Sequence, residues 1–113
     1  MALLPSASTS ILTVKQRFGV GVPRLPIEAG VLEELGVGWY LAWRVLETPP
    51  RPGGIEFWQM IRVGKEAFHP DKATIQRTAR GNPGATWVIG NEPNVRWQDN
   101  VTPARYAEWY HDL

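Results

Sequence analysis

Short apolar runs alternate along this chain with longer stretches whose apolar residues recur every three or four positions. Phe18-Gly19-Val20-Gly21-Val22, ended by Pro23, predicts a short buried strand. From Pro26 to Leu35 the apolar residues Ile27, Val31 and Leu35 fall four apart, on one helix face, and Gly36 stops the pattern. Val37 to Leu46, rich in aromatic and β-branched residues, predicts a second strand, and Thr48 to Gly54 is a loop by composition. Ile55 to Val63 predicts a third strand, although its first residues also fit a helix. Pro70-Asp71 opens a helix through Ile75 to about Arg80, with Pro suited to the first turn and Asp to the positive end of the dipole. Gly81-Asn82-Pro83-Gly84 closes it. Thr86 to Gly90 predicts a fourth strand. Thr102-Pro103 is an N-cap and N1 pair, followed by Tyr106, Trp109, Tyr110 and Leu113 as one apolar stripe.

Strands that alternate with helices or long connections, and that are too apolar for a solvated face, indicate an α/β fold with a parallel sheet. No repeat exceeds this alternation. The amphipathic pattern is still running at Leu113, so the chain reads as part of a longer protein.

Composition narrows the function classes. Hydrophobic residues at 43% and charged residues at 20% describe a globular chain of one domain. A net charge of +1, with scattered basic residues, gives no surface for nucleic acid. With no cysteine, disulfides, thiolate metal sites and Cys nucleophiles are excluded. No segment approaches the roughly 20 apolar residues of a membrane span. Residues 1–16 read as a flexible lead-in, without the basic start and long apolar core of a signal peptide. His69 and His111 have no ligand partners at metal spacing, so neither a metal nor a cofactor is expected.

The sharpest chemical feature is Trp87-Val88-Ile89-Gly90-Asn91-Glu92-Pro93-Asn94. A carboxylate at the carboxyl end of a buried parallel strand sits where such folds place active sites. Pro93 biases Glu92 toward an extended backbone, and Asn91 offers both a donor and an acceptor to a sugar hydroxyl. Six Trp in so short a chain supply core filling or flat ligand platforms. Trp43 and Trp97 fall near strand ends, where a platform is useful. Trp39, Trp58 and Trp87 suit packing, as do Trp109 and Tyr110. Arg44 and Arg62 also fall near strand carboxyl ends, where they could reach a substrate or form surface salt bridges. Asp99 and Asn100 suit an ion or a cap.

Strand-Asn-Glu-Pro resembles the acid/base motif of retaining glycosidases built on (β/α)₈ barrels. With Gln98-Asp99-Asn100-Val101-Thr102-Pro103, and with Gly38-Trp39-Tyr40-Leu41-Ala42-Trp43 and Phe57-Trp58-Gln59-Met60, it resembles the Asl1-like glycosyl hydrolase catalytic domains, relatives of β-1,3-glucanases. The resemblance spans Phe18 to Leu113. It implies a partial TIM (β/α)₈ barrel over residues 17–113, with about four parallel strands and intervening helices. It also implies hydrolysis of a β-glucan type polysaccharide or oligosaccharide in a full-length form, with Glu92 as general acid/base. Asn91, Trp43, Asn94 and Trp97 would bind substrate. The nucleophile of this clan lies on a seventh strand that the chain does not contain, so the chain alone is expected to be inactive. Extracellular action follows from the resemblance only. The alternative is a non-catalytic carbohydrate-binding unit, or one that self-associates through open strand edges.

Overall fold

A computed structural model describes residues 12–113. Six strands run in chain order as β1 (Gly19–Gly21), β2 (Trp39–Leu41), β3 (Glu56–Phe57), β4 (Gln59–Val63), β5 (Phe68–His69) and β6 (Trp87–Ile89). Three helices accompany them, α1 (Val31–Leu35), α2 (Lys72–Gly81) and α3 (Pro103–Asp112). The strands form two three-stranded sheets, β1-β2-β3, all parallel, and β5-β4-β6, mixed.

The expected partial barrel with about four parallel strands is therefore corrected: the described residues form two small sheets, one of them mixed, and no closed barrel. Two local features account for the difference. First, with β2 paired to Glu56 and Phe57 and β6 paired to Gln59, Met60 and Ile61, the run 55–63 is divided at Trp58. Its backbone N–H still donates to Tyr40 O at 2.9 Å, whereas that of Gln59 donates to Thr86 O at 3.0 Å. Beyond Trp58 the β2 side is held irregularly: the fully buried Gln59 side chain accepts from Leu46 N and donates to Leu46 O, both at 2.8 Å, and Met60 N donates to Arg44 O at 3.1 Å. Second, Gly64 N donates to Ala67 O at 2.8 Å, turning the chain back so that Phe68 and His69 pair antiparallel with Val63 and Arg62. That hairpin is absent from the sequence reading.

The first helix is shorter than its pattern. Residue 30 lies at φ +85°, a conformation no α-helix contains, so α1 begins at Val31. Leu32 becomes its buried residue, and Val31 and Leu35 of the expected stripe face solvent. With Val37, Tyr40, Ala42, Ile55 and Phe57, Leu32 forms the apolar core under the first sheet. Tyr40 packs edge-on against Phe57 and donates its hydroxyl to Pro50 O at 2.5 Å. Burial raises its pKa, and the nearby Arg51 opposes that shift.

Both longer helices start at the residues the sequence marks. Asp71 caps α2 by accepting from Thr74 N at 2.8 Å, and the Thr74 side chain together with this backbone bond holds its pKa below the ordinary carboxylate value. Pro70 stands before the cap rather than in the first turn. Thr102 caps α3 by accepting from Arg105 N at 3.2 Å. On α3, Trp109 donates its indole N–H to Gly64 O at 2.8 Å and meets Phe68 edge-on. Tyr110, expected to pack, is exposed. Of the expected lead-in, residues 1–11 lie outside the described residues; from Thr13 the chain enters a 3-10 turn, Lys15–Arg17. Among the described residues no helix is long and apolar enough to cross a membrane.

Candidate functional site

The parallel strands end on the same side of their sheets, and two chain exits there have unusual backbone. After β2, Trp43 takes φ +51°; after β6, Glu92 takes φ +47°. Left-handed backbone in a non-glycine residue costs on the order of 1–3 kcal/mol, and a bulky residue such as Trp is a marked outlier there. The extended backbone expected for Glu92 from Pro93 is thus corrected: neighbouring contacts override the local bias.

At the first exit, the Trp43 ring lies over the end of β1. A Cβ built at Gly21 would come within 2.6 Å of it, so only glycine leaves room for the ring. The ring is 39% exposed, and the Arg44 carbonyl behind it accepts from Met60 N at 3.1 Å. The sheet thus anchors Trp43 and leaves part of its surface free.

A buried carboxylate organises the second exit. Asp99 has a side chain only 1% exposed. One of its oxygens accepts from Arg62 Nε at 2.7 Å, and the other from Asn91 N at 2.5 Å. A charge in such a place is tolerated only when its lone pairs are filled, and charge-assisted bonds fill them best. Gly90 permits the approach: it sits at φ +84°, and a Cβ there would be 2.7 Å from the Tyr106 ring. The Tyr106 hydroxyl in turn donates to Ile89 O. Val95 N to Glu92 O (3.0 Å), Gln98 N to Val95 O (3.0 Å) and Val101 N to Pro93 O (2.7 Å) close the turn between residues 91 and 101.

Five residues were singled out by the sequence. Glu92, Asn94 and Trp97 project to solvent, with Trp97 82% exposed. Asn91 is half-buried, and its amide donates to Gln98 Oε1 at 3.2 Å, which leaves its carbonyl oxygen and a second N–H for a ligand. Trp43 lines a cavity of 290 Å³ with Arg44, Met60 and Arg62. Arg62 also reaches Gln98 at 3.3 Å, which joins the Trp43 cavity to the Asn91 turn through one side chain. Glu92, Asn94 and Trp97 line none of the three described cavities, the other two of which (430 and 440 Å³) lie at the strand starts and beside α1. Among the described residues no three His, Asp or Glu side chains converge on a metal position.

Sequence reasoning missed the central role of Asp99, assigning it to an ion or a cap. The available signal was an acid followed by Asn, Val and Thr in an otherwise polar turn, which does not distinguish a buried counter-ion from a cap. No family model matches the chain, and neither the curated proteins nor the solved structures compared with it give a match.

Proposed function

We propose that this chain recognises a carbohydrate of the β-glucan type and supplies Glu92 as the general acid/base of a glycoside hydrolase reaction. One observation supports the reading above the others: an exposed aromatic residue and an exposed carboxylate each follow a strand that runs parallel to a neighbour in its own sheet, and both residues hold left-handed backbone that a solvated loop has no need of. A flat ring such as Trp43 suits the C–H face of a pyranose, and Arg62 and the Asn91 oxygen suit its hydroxyls.

Retaining hydrolysis needs a second carboxylate about 5–5.5 Å from the first. Asp99, the other acid of the turn, is committed to Arg62 and the backbone. The proposal therefore gives this chain the acid/base and the platform, with the nucleophile supplied by other residues, and resemblance to the Asl1-like hydrolases supports that division.

Calorimetric titration with laminari-oligosaccharides tests the reading. Wild type should bind, Trp43→Ala should weaken binding about tenfold or more, and Glu92→Gln should retain it. In any form of the protein that also carries the nucleophile, Glu92→Gln should lower hydrolysis by roughly 10²–10⁴. Absence of binding, or binding indifferent to Trp43, rejects the proposal.

A further inference from the structure

We infer that the cavity beside Trp43 selects a sugar bearing a carboxylate, a uronic acid unit, over its neutral counterpart. This inference rests on the carbohydrate reading above and adds the charge of the substrate to it.

The 290 Å³ cavity is lined by Trp43, Arg44, Met60, Arg62, His69 and Pro70, together with Val45 and Thr74. Three of these side chains are basic, and none is acidic. Each arrives from a different place: Arg44 from the exit of β2, Arg62 from β4 and His69 from β5. The antiparallel register sets Arg62 directly opposite His69, which brings the two side chains within cross-strand contact. Two groups able to carry positive charge in directly opposed positions are unfavourable by themselves, and an anion between them relieves this.

Among the described residues the neighbouring carboxylates leave Arg44 as the uncompensated charge of the cavity. Asp99 neutralises Arg62 through Nε and one terminal nitrogen, and the same nitrogen reaches Gln98. The other terminal nitrogen has no partner among the described residues, so its two N–H groups remain for a ligand. Glu47 is held by Arg77 at 2.9 Å, and Asp71 by the α2 cap. Arg44 makes no ion pair and no side-chain hydrogen bond among the described residues, and it is exposed. A carboxylate is the group these donors match, because a guanidinium binds it with two parallel, charge-assisted bonds. The Trp43 ring, Met60 and Pro70 form the apolar wall against which the pyranose carrying that carboxylate would lie. The volume is at the small end of ligand sites, roughly 300–1,000 Å³, which suits a single ring rather than a chain of them.

The test compares three probes by calorimetry at low salt: a glucuronate-terminated β-gluco-oligosaccharide, the neutral oligosaccharide of equal length, and acetate. The acidic sugar should bind about tenfold tighter than the neutral one, and Arg44→Gln should reduce that advantage to about twofold or less. Added salt should shrink it as well, since part of the attraction is screened. Arg44 is exposed, so an unchanged unfolding curve will show that the variant is folded. Equal affinity for the acidic and neutral sugars, with Trp43→Ala weakening both, overturns this inference and leaves the carbohydrate reading standing. An acidic preference that survives Arg44→Gln also overturns it. Acetate binding as tightly as the acidic sugar, with no binding of the neutral one, overturns both.

Discussion

Beneath the first sheet and at the end of the second, this chain buries its residues by opposite means. The first region is apolar: Tyr40, Phe57 and Leu32 are covered almost completely and contact Val37, Ala42 and Ile55. The second region is polar: Asp99 is buried at 7% residual exposure, and its value depends on particular partners at particular distances. An apolar core holds any residues of suitable size and shape, so it gives stability without prescribing chemistry. A buried carboxylate with its oxygens assigned to Arg62 and Asn91 N fixes a backbone trajectory, here the one that presents Glu92. The candidate acid/base Glu92 lies beside the second kind of burial, whereas Trp43 follows Ala42 of the first.

The largest expected effect comes from the apolar side. Phe57→Ala should cost about 3–5 kcal/mol, read as a lower urea midpoint, with the chain unfolding as a whole. Asp99→Ala should cost less, about 2 kcal/mol, because Arg62 is partly solvated and can turn to water while Asn91 N loses its acceptor. Its effect should also be local. Amide exchange should accelerate between residues 91 and 101 and remain slow in β2 and β3. Uniform acceleration across both regions would break the contrast.

The next effect has the opposite sign. Glu92→Gly should raise stability by about 1 kcal/mol, since glycine holds φ +47° without steric penalty, and it removes the proposed acid/base at the same time. A stabilised variant that has lost function would show that the turn is strained for its chemistry. Destabilisation would mean that the Glu92 side chain itself holds the turn together.

The smallest effect concerns α2 and is a matter of pH. The Asp71 carboxyl sits below its ordinary value in the folded chain because it accepts from Thr74. The unfolded state therefore binds the proton more readily, so the stabilisation is present above the ordinary Asp range and is lost as pH falls through the folded value. Asp71→Asn should leave a shallower acid limb in a stability-against-pH curve than wild type. An identical acid limb would show that the Asp71 charge contributes nothing to stability, since asparagine still caps the helix.

Legibility in the sequence follows the same division. Elements specified by local chemistry are readable: Asp71 and Thr102 are seen as starts of α2 and α3, and the runs around Trp39 and Trp87 as strands. Elements that depend on a distant partner are not. Nothing near Trp58 shows that the run will be divided between β2 and β6, because both partners lie far away in the sequence. Nothing near Phe68 outweighs the adjacent Pro70 to mark a strand, because β5 exists only by pairing with β4. Alternation indicated a parallel sheet, and the partial barrel that the family resemblance implied went further than the two small sheets observed. In the candidate site, Glu92, Asn91 and Trp43 could be singled out by type and by their place after a strand. The hub at Asp99 and the joining role of Arg62 required spatial proximity across 37 residues of chain.

The proposed sugar site centres on Trp43, at the exit of β2. The most direct measurement labels the tryptophans with fluorine and follows each indole by NMR during titration with laminari-oligosaccharides. The account predicts that the Trp43 resonance shifts with saturation while those of Trp39 and Trp58, stacked on one another at 3.7 Å away from that exit, stay in place. A Trp43 resonance that does not move, or equal shifts at all six indoles, would contradict it.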